Sequence, residues 1–125
     1  MVVTILRQNE CPGLDPDRMT ELYVQLGEAG AEDVICRAME ELATKLADIH
    51  EVQMIADQHV LQHSARSVAE LAGKIGLTGL SRVALDVDYC LNFNDPAARA
   101  ATMARMIRIG EKSLTAVWDH RDLSV

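Results

Sequence analysis

Hydrophobic and polar positions recur with a helical period along most of the chain, and the clearest stretch is residues 57–77, DQHVLQHSARSVAELAGKIGL. Leu61, Ala65, Val68, Ala72 and Ile75 fall at steps of three and four, which sets them on one face of a helix. His59, His63, Arg66 and Glu70 follow the same steps on roughly the opposite face. The spacing predicts one helix from about Asp57 to about Ile75, with an apolar stripe inward and a His–His–Arg stripe in water. Gly76 is placed to end it in the left-handed region.

The flanking segments carry weaker versions of the same signal. Asp15-Pro16 reads as an N-cap followed by a first-turn proline. It predicts a short helix to about Gly27, with Met19, Leu22, Tyr23 and Leu26 on one side, and Gly27 and Gly30 bracketing a break. A second helix is predicted from about Ala31 to about Glu51, with Ile35, Ala38 or Met39, Leu42, Leu46 and Ile49 inward. Asp33–Arg37 and Glu41–Lys45 are acid-before-base pairs one turn apart and mark its wet face. Residues 52–56 contain neither Gly nor Pro, so the link there is either a tight turn or a kink. Thr78 is read as the cap of the next helix, whose inward set is Leu80, Val83, Val87 and Leu91. Asp95-Pro96 repeats the capped start and opens a last helix to about Trp118. Its predicted inward set is Ala97, Ala101, Ala104, Ile107, Leu114 and Val117, with Gly110 on the same face and Arg105, Arg108 and Lys112 as an exposed basic stripe. A glycine inside a helix costs roughly 1 kcal/mol against alanine, which a close backbone approach at Gly110 would account for.

Short links make successive helices antiparallel neighbours. The expected fold is therefore all-α: five helices, an antiparallel up-down four-helix bundle with a short leading helix. Residues 14–120 form the bundle domain, residues 1–13 an irregular N-terminal arm ending in a Cys-Pro-Gly turn, and residues 121–125 a tail.

Composition narrows this further. A chain of 125 residues that is 49% hydrophobic fits one domain with a real core and excludes a disordered chain. Aromatics at 3% favour helices packed through small and unbranched side chains over a sheet. A net charge of −7 and a pI near 4.9 argue against nucleic acid and against an anionic membrane surface as partners. Cys11, Cys36 and Cys90 are odd in number and form no CxxC, so free thiols in a reducing cytoplasm are expected, with Cys36 and Cys90 buried beside apolar positions. Residues 1–6 are too short for a signal-peptide core and no basic segment precedes them, and no apolar run approaches the roughly 20 residues of a membrane span. The expected location is cytoplasmic.

The candidate chemistry lies on the polar stripe. An exposed imidazole titrates near neutrality, so His63 would offer an unprotonated ring nitrogen to an acyl phosphate. Arg66, one turn on, would steady the phosphoryl group through a charge-assisted bond. The plainer reading of the same pair is two polar residues on a solvated face. His59-x-x-x-His63 has the spacing of a helix-borne zinc pair but no further ligand in register, and Met54 stands where a zinc protease needs its second histidine. No metal is expected. Asp15, Asp17, Asp86 and Asp88 form no carboxylate-x-x-His pattern and are read as caps and solvated acids. Ser64 and Ser67 lack an oriented base, there is no glycine-rich phosphate loop, and Trp118 is read as a packing anchor.

These residues, taken with their neighbours, resemble histidine phosphotransfer (HPt) domains over about residues 14–114. The family motif is an exposed histidine, a Lys or Arg three residues on, a small residue at the fourth, and Ile-Gly or a similar pair closing the helix. Leu14-Asp15-Pro16-Asp17-Arg18 looks like a family helix start, and ARSVAELAGKIGL at residues 65–77 looks like the centre and end of the active helix. Anchored on His63, the resemblance puts Arg66 in the basic slot and Ser67 in the small slot, but turns Gln58 and Gln62 inward. Anchored on Ile75-Gly76, it keeps Leu61, Ala65, Val68, Ala72 and Ile75 inward and puts Arg66 in the histidine slot, Ala69 in the basic slot and Glu70 in the small slot. Burying an unpartnered Gln62 would cost about a few kcal/mol, which favours the second register. The resemblance implies a phosphorelay intermediate between receiver-domain aspartates. His63 would be the phosphoacceptor, Arg66 its stabiliser or the occupant of the histidine slot, and His59, Ser67 and Glu70 the binding surface. It implies no cofactor on this chain, with Mg²⁺ on the receiver, and a response-regulator receiver or a histidine kinase as partner. The alternative is a docking module that binds such a partner without carrying phosphate, and a metal-binding or purely structural bundle ranks below both.

Overall fold

A computed structural model describes residues 13–124, with side chains as far as Asp119. The N-terminal arm before Gly13, with Cys11, and the side chains of His120 and of the predicted tail lie outside the described residues. The described chain forms four α-helices and no strand: α1 (Pro16–Val52), α2 (Gln58–Lys74), α3 (Thr78–Cys90) and α4 (Pro96–Ser124).

The helix starts follow the local sequence. Asp15 is extended and its carboxylate accepts the Asp17 amide, while Pro16 occupies a first-turn position that needs no N–H. Asp57 caps α2 through the His59 amide, and Asp95 caps α4 through the Ala98 amide. α1 contains both of the first two predicted helices. They are joined at Gly27, whose φ of 75° and ψ of 172° suit only a residue without a Cβ, and Gly30 stays helical. The bracketed break is thus a one-residue kink. Residues 53–56 form a tight turn, and α4 runs to Ser124, past the predicted end near Trp118 and through most of the predicted tail.

The α2–α3 turn is held by the segment in front of α1. The amides of Gly76 and Leu77 donate back to the carbonyls of Gly73 and Ala72, at 3.3 and 2.8 Å, with Gly76 left-handed at φ 87°. Residues 13–15 then cross this turn. Asp15 N donates to Gly76 O at 2.7 Å, Gly79 N to Gly13 O at 3.1 Å, and Leu14 pairs with Leu77 in an isolated antiparallel bridge. Arg18 Nε donates to Lys74 O at 3.0 Å. Thr78 is therefore not the cap of α3. Leu77 holds that position without a side-chain bond, and the Thr78 hydroxyl donates to the Gly13 carbonyl.

Each helix packs on the next in sequence, and α4 packs on α1. All four contribute to one core. The predicted stripes of the second helical stretch of α1, of α2 and of α3 are buried in full. Within the first stretch Met19 and Leu22 are buried, but Leu26 is exposed. α4 is rotated from its prediction. Met103, Met106, Gly110, Ser113 and Val117 face inward, while Ala97, Ala101 and Ala104 face solvent and Ile107 and Leu114 are half-buried. Gly110 does mark a close approach: a Cβ built there would sit 2.5 Å from Leu46 Cδ1. Cys36 and Cys90 are half-buried rather than buried, and Trp118 is 51% exposed, which does not fit a packing anchor. Among the described residues no helix is long and apolar enough to cross a membrane.

Candidate functional site

The outer seam between α2 and α3 carries the polar stripe read from the sequence. Burial of Leu61, Ala65, Val68 and Ala72 fixes the rotation of α2, so His59, His63, Arg66 and Glu70 are exposed and Ser64 and Ser67 half-buried. Two residues then reach across the seam. Arg66 Nε donates to Asp88 Oδ2 at 3.0 Å, joining an arginine 62% exposed to a carboxylate only 20% exposed. Gln62 is buried and its Nε2 donates both to the Asp88 carbonyl, at 2.9 Å, and to Asn92 Oδ1, at 3.0 Å. That carbonyl lies in the last turn of α3, where the Asn92 amide has turned to Tyr89 O instead, so the glutamine replaces a helical donor. Further along, Ser81 Oγ donates to Ala69 O at 3.0 Å.

Asp88 is the pivot of this seam. Its backbone oxygen takes Gln62 and its Oδ2 takes Arg66, while Oδ1 is buried without a hydrogen-bond donor among the described residues. The sequence reading of Asp88 as a solvated acid is thus corrected: it holds the arginine of the neighbouring helix. The pair leaves Arg66 with its charge balanced at close range and its orientation set from α3 rather than from His63. Among the described residues neither the His59 nor the His63 ring makes a hydrogen bond or ion pair.

The sequence reading missed the apolar half of this surface. Leu85, Tyr89 and Phe93 stand on the outer side of α3 and its C-terminal turn, each more than half exposed, with the Tyr89 and Phe93 rings edge-to-face at 5.1 Å. The signal was present as two of the chain's few aromatics spaced one turn apart and off the Leu80–Val83–Val87–Leu91 stripe. Large apolar side chains grouped in water mark a contact surface. Gln62, Asp88 and Asn92 gave no comparable signal, because their pairing depends on how α2 and α3 lie together.

Among the described residues no group of three or more His, Cys, Asp or Glu side chains is placed to hold a metal ion. The seam can offer an exposed imidazole, a guanidinium fixed by a carboxylate, and an aromatic–aliphatic ridge beside them. Comparison with known protein families, with characterised proteins and with solved structures found no match.

Proposed function

We propose that this chain is a phosphorelay-type helical module whose α2–α3 face docks a response-regulator receiver domain, without itself carrying the phosphoryl group. The Arg66–Asp88 pair is the observation that carries this reading. A phosphoryl group on His63 would have to draw on a guanidinium already balanced by a carboxylate. The same pair, set beside the Leu85–Tyr89–Phe93 ridge, gives a receiver a fixed cation and an apolar contact area. The HPt resemblance supports the fold. The burial of Leu61, Ala65, Val68, Ala72 and Ile75 agrees with the register anchored on Ile75-Gly76, in which Arg66 takes the histidine slot, while the buried, doubly bonded Gln62 removes the packing objection to the register anchored on His63. The short connections and the closed ring of helix contacts favour an antiparallel up-down arrangement, with the stretch before Gly27 as a short leading helix.

A second reading rests on the exposure of His63. Its unprotonated ring nitrogen would attack the phosphorus of a receiver's aspartyl phosphate, forming the P–N bond as the aspartate carboxylate leaves. Mg²⁺ would belong to the receiver. One experiment separates the two. Phosphorylated receivers from the source organism are incubated with wild type, His63→Gln and His59→Gln, and acid-labile, base-stable label is followed beside calorimetric binding. Docking predicts saturable binding, no label, and about tenfold weaker binding for Arg66→Ala. Label that disappears in His63→Gln selects the carrier reading instead. Neither label nor binding with any receiver rejects both.

A further inference from the structure

The opposite flank of α3 carries a different surface. Between α3 and α4 lies a cavity of about 170 Å³ lined by Thr78, Gly79, Arg82, Val83 and Asp86 of α3, Arg105 and Ile109 of α4, and Gly13, where the described residues begin. Arg108 and Lys112 continue the basic stripe along α4 from Arg105, and all four basic residues are exposed. In a chain of net charge −7, acids are plentiful, yet the ion pairs among the described residues are Arg18–Glu21, Arg37–Asp33 and Arg66–Asp88. Among the described residues the four cations of this flank form no ion pair.

We infer that this groove is a second docking surface, and that it takes an acidic polypeptide segment which places one carboxylate between Arg82 and Arg105. Three observations select that occupant. The cavity has the size of a side chain and falls below the roughly 300–1,000 Å³ of small-molecule sites. Its lining sets two guanidiniums against the Asp86 carboxylate, a balance that one carboxylate neutralises and that penalises a phosphate dianion. Beyond the cavity the cations continue one and two turns along α4, so successive acids of an extended segment find Arg108 and Lys112.

The test is an amide NMR titration of the full chain with a capped octaglutamate peptide at low ionic strength, with inorganic phosphate as the comparison anion. Expected are shifts centred on Gly79, Arg82, Arg105 and Ile109, about threefold weaker binding in Arg82→Gln and in Arg105→Gln, and about threefold tighter binding in Asp86→Asn. Binding should fade as salt is raised. Wild-type affinity in Arg82→Gln and Arg105→Gln overturns the inference, as do shifts centred on the α2–α3 face. Phosphate binding at these amides more tightly than the peptide overturns the acidic-segment assignment. Broadening of the same amides with protein concentration alone, without peptide, overturns it in favour of a second copy. All three variants alter exposed positions with good helix formers or near-isosteres, and each spectrum reports its own folding.

Discussion

Gln62 shows how a polar residue on a core-facing turn is tolerated. Its amide carries two donors, and both are used, one on the Asp88 carbonyl and one on the Asn92 side chain. Gln62→Leu keeps the volume and removes both donors. The exposed Asn92 oxygen can turn to water, but the Asp88 carbonyl is left short of a donor, so a net loss of about 1 kcal/mol in urea unfolding is expected. From the sequence alone an inward Gln62 looked costly, because its partners stand 26 and 30 residues away and no local pattern announces them. Asp88 was hidden for the same reason. Its pairing with Arg66 joins a largely exposed cation to a mostly buried carboxylate, so the coupling should exceed that of an open surface pair only modestly. A double-mutant cycle on Arg66→Ala and Asp88→Asn should return about 1 kcal/mol, and a value near zero would mean that the seam does not hold the guanidinium in solution.

At the scale of elements, legibility followed the contrast between faces. α2 and α3 separate an apolar side from a mostly polar or aromatic one, and every residue of their predicted inward stripes is buried, although Gln62 and Ala69 of α2 and Ala84 of α3 join them unread. The first half of α4 has Ala, Met and Ile on nearly every side, so a run of alanines looked like the core face while Met103 and Met106 took it. The glycine notch at Gly110 admits Leu46, as the sequence reading expected of a close approach there, whereas the turn of Met103 and Met106 inward is not visible as a period. The α2–α3 turn behaves differently, because its demand is on the backbone. Gly76 is left-handed at φ 87°, and a Cβ there would meet the Asp15 carbonyl at 2.7 Å, a backbone atom with no rotamer to move to. Gly76→Ala should therefore cost about 2 kcal/mol or more, combining the left-handed penalty with displacement of residues 13–15. Hydrogen exchange should show the Asp15 amide, bonded to Gly76 O, losing protection before the core of α2 does.

Across the whole molecule, stability and proposed function draw on different faces of the same two helices. α2 and α3 turn their aliphatic sides to α1 and α4 and leave the Arg66–Asp88 seam and the Leu85–Tyr89–Phe93 ridge outside. The ridge contributes little to the core, since Tyr89 and Phe93 are 65% and 55% exposed and their rings meet edge-to-face. Replacing both with glutamate should change unfolding free energy by no more than about 1 kcal/mol, the loss of one edge-to-face pair with a small propensity change. If this face docks a receiver, the same double variant should lose at least about tenfold in binding, because large aromatics at a contact carry a disproportionate share of its energy. The two measurements must be made on the same protein. Equal losses in stability and binding would mean that the ridge belongs to the fold, and unchanged binding would move the docking surface off α3. Lost binding with preserved stability is the outcome that a core facing one way and a contact surface facing the other require.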